Sequence, residues 1–249
     1  MSDGFDPSYF SKLFELEQKS FWFRARNKFI LWALRRYFPD MRKFLEIGCG
    51  TGYVLSAIEK EFPGLDLYGG EFYDSGLQCA RNRVRRASLI QVDAKAIRFR
   101  NEFDVIGAFD VLEHIPEDEV VLSEMFQAVR PGGGILLTVP QHPFLWSRFD
   151  VFSHHVRRYS AKDLGMKIER AGFRILSLKS FVSLLFPLLL LSRLKRSGAR
   201  DAYDGFKELK VSQPLNFICE KVLDFERVMV SWGISFPFGG SLLLAARKS

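Results

Sequence analysis

The sequence predicts an α/β fold: a mostly parallel sheet covered by helices on both faces. Three observations carry that expectation. Short apolar runs alternate along the 249 residues with stretches of helical spacing. The first run leads directly into three glycines two apart, Gly48, Gly50 and Gly52. Two later runs each end at an acid, Glu71 and Asp93, and ligands of such sheets bind at the carboxyl ends of the strands.

The elements follow in order. Residues 8–38 read as one or two helices, with Phe29, Ile30, Ala33, Leu34 and Tyr37 on one apolar face. A strand begins at Lys43, and the stretch Tyr53 to Lys60 opens a helix just after the glycines. Leu65 to Gly70 is a second strand ending at Glu71, and Asp74 to Arg86 a helix. Ser88 to Val92 is a third strand ending at Asp93-Ala94, and Phe103 to Phe109 a fourth. The next helix runs from Glu117 to Val129, where Pro116 and the acids Glu117, Asp118 and Glu119 suit a helix start. Arg130 to Gly134 reads as a turn and Ile135 to Pro140 as a fifth strand. Ser160 and Asp163 open a helix that ends near Gly172, Phe173 to Leu178 is a sixth strand, and Ser241 to Ala246 the last. Residues 181–238, between the last two strands, are far longer than an ordinary connection.

The glycine loop excludes two nucleotide cradles. The dinucleotide fingerprint needs a glycine where Tyr53 stands, and no Gly-Lys-Ser/Thr follows for a phosphate loop. Glu46 at the loop entrance disfavours phosphate and suits a cation. The run from Glu46 to Gly52, Glu71, Asp93-Ala94, the segment Asp110-Val-Leu-Glu-His114 and the turn Arg130-Pro-Gly-Gly-Gly134 stand in sequence at consistent intervals. Together they resemble the motifs of the class I S-adenosylmethionine (SAM) methyltransferases, of the methyltransferase type 11/12-like kind. The resemblance covers roughly residues 40–180 and resumes at the C-terminus. It departs at Glu71, where aspartate is common, and at the Gly69-Gly70 pair before it.

That resemblance implies a Rossmann-like, seven-stranded doubly wound sheet whose last strand runs antiparallel beside strand six. It implies SAM as cofactor, with Glu46, Gly48, Cys49, Gly50, Gly52, Glu71, Phe72, Asp93, Ala94, Asp110 and Val111 around it. Glu71 is placed for the ribose diol and Asp93 for the adenine amino group. Phe23 and Arg26, in the aromatic stretch Phe21 to Arg26, either pack on the sheet edge or close over the cofactor as the N-terminal helices of similar enzymes do. The domain division is a helical cover (1–40), the SAM-binding core (41–180), a helical apolar insertion (181–238) and the final strand of the core (239–249).

Methyl transfer to a hydroxyl benefits from a general base. All four histidines fall after strands four and five, and His155, His142 and His114 are the catalytic candidates. Arg157 and Arg158 beside His155 suit a structural role through salt bridges. No third ligand at metal spacing accompanies His154-His155, so no metal is expected.

The net charge of +7 and pI near 9.4 suit an anionic partner. Basic residues gather near the N-terminus, between Arg81 and Arg86, and at Arg193, Lys195, Arg196 and Arg200 after an apolar run. The middle cluster reads as a solvated face. There is no RNA-binding signature, and no Asp/Asn-Pro-Pro-Tyr segment after strand four. The apolar run Phe181 to Leu191 contains Pro187 and is too short for a span, which needs about 20 residues. It is a buried lid, an interfacial anchor or the wall of a port for a lipid-like substrate, and the flanking Lys179, Arg193, Lys195 and Arg196 favour anionic headgroups. Three cysteines in odd number read as free cytosolic thiols, and the polar, acidic first residues show no signal peptide. The expectation is a cytoplasmic enzyme in peripheral contact with anionic membrane. It methylates a small or lipid-linked acceptor on oxygen, with carbon as the other option. The alternatives are a non-catalytic SAM-binding regulatory module and an RNA or protein methyltransferase using the basic surface.

Overall fold

The computed structural model describes residues 5–194 and 203–249. Its strands are β1 (Lys43–Ile47), β2 (Asp66–Glu71), β3 (Ser88–Gln91), β4 (Phe103–Phe109), β5 (Val129–Pro140), β6 (Phe173–Phe181) and β7 (Ser241–Lys248). They form one seven-stranded sheet in the order β3-β2-β1-β4-β5-β7-β6. The first five strands pair in parallel, and β7 lies antiparallel between β5 and β6. The strand order reverses between β1 and β4, which opens a crevice at their carboxyl ends.

The helices are α1 (Phe10–Leu16), α2 (Phe21–Tyr37), α3 (Tyr53–Glu61), α4 (Asp74–Arg81), α5 (Asp118–Ala128), α6 (Arg148–Phe152), α7 (Ala161–Arg170), α8 (Phe186–Leu194), α9 (Phe206–Leu209) and α10 (Gln213–Ser231). The two-residue period of the strands splits the core into two layers. Phe44, Leu136, Leu243 and Ala245 join Phe29, Ile30 and Leu34 of α2, Leu55 and Ile58 of α3, and Leu223 of α10. Their neighbours Leu45, Leu137, Leu242 and Leu244 join Val121, Leu122 and Met125 of α5 and Leu164 and Ile168 of α7. The apolar face expected at residues 29–37 is thus the face α2 lays on the sheet.

The insertion and the N-terminal cover pack on each other. Asn216 of α10 accepts the Phe21 N–H at 2.7 Å and donates to the Lys19 carbonyl at 2.8 Å. Lys28 of α2 reaches Glu220 and Asp224 at 2.8 and 2.7 Å.

Four local expectations are corrected. The segment Arg130 to Gly134 is a bulged start to β5 rather than a turn: Phe103 pairs with Val129, and the register resumes at Val105 with Gly134. Helix α4 stops at Arg81, because the Glu59 carboxylate accepts the backbone N–H groups of Arg85, Arg86 and Ala87 and holds them in a turn. Arg83 is therefore not part of a solvated face. It is buried in an ion pair with Glu17 and donates to the Thr51 hydroxyl at 2.6 Å. Strand β6 continues to Phe181, so the apolar run begins as strand, and Pro187 sits in the first turn of α8, where no backbone N–H is missed. Among the described residues no helix is long and apolar enough to cross a membrane.

Candidate active site

The glycine loop follows β1 and turns through three left-handed glycines, Gly48 (φ 68°), Gly50 (φ 51°) and Gly52 (φ 73°). A side chain at Gly48 would meet Val111 at 2.6 Å, so the β1 and β4 loops approach each other only because that glycine has none. Gly52 is set back from the crevice, where a Cβ would meet Ala80 of α4 at 3.0 Å. The Cys49 N–H donates to the Gly70 carbonyl at 3.0 Å, and the Gly50 N–H to Glu71 Oε2 at 2.9 Å. Glu71 is thereby tied to the loop it faces.

A cavity of about 1110 Å³ opens over this loop. It is lined by Glu46, Gly48, Cys49, Gly50, Glu71, Phe72, Asp93, Ala94, Asp110 and Val111, and on the cover side by Phe23 and Arg26. These are the expected cofactor residues apart from Gly52. Phe5 and Phe10 also line it, and Phe10 lies 3.5 Å from the position a Gly50 Cβ would take. The buried Glu17 locks this cover to the loop, accepting from the Thr51 hydroxyl at 2.6 Å and pairing with Arg83.

Two buried polar atoms here have no hydrogen-bond partner: Glu46 Oε2 and Arg26 Nε. Burial pushes the Glu46 carboxyl well above the usual carboxylate range; Arg26 opposes this, and Glu17 and Glu71 reinforce it. Arg26 also forms an ion pair with Asp110, which accepts from the Thr138 hydroxyl at 3.1 Å and adopts a left-handed backbone (φ 56°). A buried carboxyl oxygen and a buried guanidinium N–H left without partners suit the ammonium and carboxylate of an amino-acid zwitterion, which SAM carries. Phe72, 54% exposed, offers an aromatic face beside the Glu71 strand end, and the Asp93 carboxylate accepts the Lys95 N–H at 2.8 Å. The residues present fit SAM.

Next to the cofactor end lies a set of groups from the two segments that follow β4 and β5. Helix α6 begins with a capping box in which Asp150 accepts from the Ser147 N–H and hydroxyl, each at 2.8 Å. The chain then folds back, so Asp150 Oδ1 takes His155 Nδ1 at 2.9 Å and Arg158 Nε at 2.7 Å. Burial alone would raise the Asp150 carboxyl, but the bonds from His155 and Arg158 overcome it and hold it below the usual carboxylate range. A carboxylate at Nδ1 makes that nitrogen the N–H donor and leaves Nε2 of a neutral His155 as the free base. The segment is pinned on both sides. The Val156 N–H donates to the Glu113 carbonyl at 2.7 Å, and the fully buried Tyr159 donates its hydroxyl to Asp118 at 2.7 Å. Arg157 pairs with the same Asp118 at 2.7 Å, so both arginines have the salt-bridged role expected of them.

His114 meets His155 edge to face, with ring centroids 4.7 Å apart. Burial, with His155 and His154 nearby, lowers it to about 3, so it is neutral. Its Nδ1 and the Glu113 Oε2 are buried without partners. Burial, then the Asp110 charge, raises Glu113 well above its ordinary range. Ligand atoms of Glu113, His114 and His155 all lie within 4.8 Å of one another, a grouping that could hold a metal ion. Chain spacing is no guide to it, since the loops after the fourth and fifth strands meet only in the fold. His142 does not line the cavity. It adopts a left-handed conformation (φ 64°), its ring 4.8 Å from Phe144 and 5.7 Å from Phe186.

The insertion lines the cavity with Val182, Leu185, Leu188 and Leu189 from the α8 side, Leu209 from α9 and Leu215 from α10, and also with the charged Arg193, Lys207, Glu208 and Lys210. Sequence reading missed Asp150, Glu113 and Glu17. Only Asp150 had a local signal, the Ser147-x-x-Asp150 capping box, and that says nothing of His155.

The sheet order and the glycine loop are those of the class I SAM-dependent methyltransferase fold. A methyltransferase domain model matches residues 15–178, and the chain belongs to that family. A Mycolicibacterium smegmatis protein named a probable S-adenosylmethionine-dependent methyltransferase is 27% identical over 168 residues, 64% of this chain and 62% of its own. The ubiquinone biosynthesis O-methyltransferase of Psychrobacter arcticus is 28% identical over 111 residues, 41% of this chain and 42% of its own. The match thus spans less than two thirds of the curated relatives' length. Among solved structures, a SAM-dependent methyltransferase from Thermotoga maritima superposes with a TM-score of 0.60 at 16% identity, over 97% of this chain and 95% of that one.

Proposed function

We propose that this protein transfers the methyl group of SAM to a hydroxyl oxygen of an amphiphilic acceptor, with His155 as the base. The observation that carries the proposal is the Asp150–His155 pair, in which buried Asp150 holds His155 and His155 lines the same cavity as the glycine loop and the leucines of the insertion. SAM supplies a methyl carbon made electrophilic by its sulfonium. Asp150 fixes the imidazole through Nδ1, and Nε2 would take the hydroxyl proton as the acceptor oxygen bonds to that carbon and the methyl–sulfur bond breaks, its electron pair leaving with S-adenosylhomocysteine. A general base of this kind contributes about 10²–10⁴-fold. Burial keeps the neighbouring His114 neutral, so it shapes the pocket beside His155 rather than holding a proton. His142, outside the cavity, is assigned a packing role.

The acceptor class follows from size and lining. The cavity, at about 1110 Å³, exceeds the roughly 300–1,000 Å³ of a site for one drug-sized ligand, leaving space for cofactor and acceptor together. The wall of Leu185, Leu188, Leu189 and Leu215 would take an apolar chain. The likeness to an O-methyltransferase of ubiquinone biosynthesis supports oxygen over carbon as the methylated atom. A cytoplasmic setting, in peripheral contact with membrane, is part of the proposal. Cys49, Cys79 and Cys219 are all free thiols, as in a reducing compartment. The test is turnover of methyl-labelled SAM with a total lipid extract. Label in a lipid product, released as base-stable ether rather than ester, supports the reading. SAM binding without S-adenosylhomocysteine formation would leave a non-catalytic binding module, and label in RNA or protein would point to the basic surface instead.

A further inference from the structure

The insertion presents an outer surface unlike the rest of the molecule. In α10 the buried positions Asn216, Cys219, Leu223, Glu226 and Val230 recur at helical spacing and face the protein. The opposite face carries Phe217, Ile218, Phe225 and, at the helix end, Trp232, with Phe217 61%, Phe225 58% and Trp232 76% exposed. The exposed positions of the α8 segment between residues 182 and 193 are Leu184, Pro187, Leu188 and Leu191, all apolar. The two helices form one surface because the Glu226 carboxylate accepts the Ser183 N–H at 2.9 Å and the Leu184 N–H at 2.9 Å.

The charges on this surface have one sign. Between residues 205 and 238 the exposed charged residues are Lys207, Lys210 and Lys221. The acids of the same stretch are turned inward and engaged. Glu208 pairs with Arg193, Glu220 with Arg24 and Lys28, and Asp224 with Lys28 and, more loosely at 3.9 Å, with the exposed Lys221, while Glu226 holds backbone N–H groups. Arg193 is taken up by Glu208, and Lys195, Arg196 and Arg200 lie outside the described residues. Leu188 and Leu215 are exposed on this face and also line the cavity, so the mouth of the cavity opens onto it.

We infer that the outer face of α8 and α10 docks on an anionic lipid bilayer and that the acceptor enters the cavity from there. An apolar face flanked by lysines, with aromatic residues at the boundary, binds in the headgroup layer through buried apolar area and attraction to anionic lipid. A water-soluble partner protein would not call for three lysines and no exposed acid around large aromatic side chains. The delivery of acceptor rests on the amphiphilic-acceptor reading; the docking itself does not, and the two fail separately.

The test is co-sedimentation of the full chain with vesicles of phosphatidylcholine alone or mixed equally with phosphatidylglycerol, at low and high salt. Binding is expected to the anionic vesicles and to weaken with salt. Reversing Lys207, Lys210 and Lys221 to glutamate is expected to lower it about fivefold each and roughly a hundredfold together. The double variant Phe225→Asp, Trp232→Asp is expected to abolish sedimentation while keeping the wild-type melting temperature and SAM affinity, and wild-type turnover on detergent-dispersed lipid extract. Vesicle binding without any lipid methylation would sink the acceptor reading and leave the docking face standing. No vesicle binding in any condition, binding that both variants leave intact, or a stable dimer that protects Phe225 and Trp232 without vesicle binding, would overturn the docking inference.

Discussion

Replacing His155 with alanine separates the chemistry from the cofactor. The imidazole makes one side-chain hydrogen bond, Nδ1 to Asp150 Oδ1 at 2.9 Å. After its removal Asp150 keeps Arg158 at 2.7 Å and Ser147 through both its N–H and its hydroxyl, so no buried charge is stranded. The stability cost is then that of one hydrogen bond to a charged group, about 1.5–3 kcal/mol. For a chain of this length that lowers the melting temperature by roughly 3–12 °C, at about 2–4 °C per kcal/mol. The residues proposed to hold SAM, Glu46 in β1, Arg26 in α2 and Glu71 at the end of β2, lie outside the His155 segment, so calorimetry is expected to give a SAM affinity within about twofold of wild type, well inside one 1.4 kcal/mol decade. Turnover is expected to fall about 10²–10⁴-fold. Added imidazole is expected to restore part of it by entering the space the side chain left. The assay is S-adenosylhomocysteine formation with lipid extract, run below the melting temperature of the variant. Near-wild-type turnover would refute the base. Parallel loss of SAM affinity and turnover, with no rescue by imidazole, would make His155 a structural residue.

Other expectations concern the cradle and its charges. Glu46→Gln is expected to weaken SAM binding by roughly 10–100-fold, the loss of an ionic hydrogen bond. The same change should leave the SAM-free protein as stable or more stable at alkaline pH, measured by thermal melts. The Glu46 carboxyl is raised in the folded state, so its neutral form is favoured, and stability is lost as pH rises through that raised value. Gly48→Ala puts a Cβ 2.6 Å from Val111 at a left-handed φ, and is expected to cost about 1–3 kcal/mol in denaturant melts, with partial recovery on adding Val111→Ala. The folded Asp150 carboxyl lies below its unfolded value of about 3.9, so its contribution is complete above that pH and is lost as pH falls further. The stability gap between wild type and Asp150→Asn is therefore expected to be full at neutral pH and to close in acid titrations. EDTA is expected to leave turnover unchanged; activity lost to EDTA and restored by a divalent metal would instead put an ion among Glu113, His114 and His155.

What was legible in the sequence was what the chain keeps local. Lys43 to Gly52 holds a strand, an acid and three left-handed glycines in ten residues, and each strand-end acid follows its own strand. The β5–β7–β6 order and the inward face of α2 follow from periodicity and resemblance in the same way. The His155 partner was hidden because it depends on a five-residue helix turning back on itself, and Glu113 because two loops distant in sequence meet there. Strand ends place residues at the right edge of a sheet without saying which way they point. That is why His114 and His155 line the cavity and His142 does not. Arg83 looked like one of four surface arginines, and only the fold supplies Glu17 to bury it. The outer face of α10 was invisible as well, since helical spacing reports two faces and not which one the protein covers.

The most direct measurement is a transfer experiment with SAM carrying a labelled methyl group, purified protein and total membrane lipid. The expected result is label in one amphiphilic product as a methyl ether, in equal amount to the S-adenosylhomocysteine formed, and its loss in His155→Ala at unchanged SAM affinity. Tight SAM binding with no labelled lipid, or label on nitrogen or carbon that His155→Ala does not affect, would contradict it.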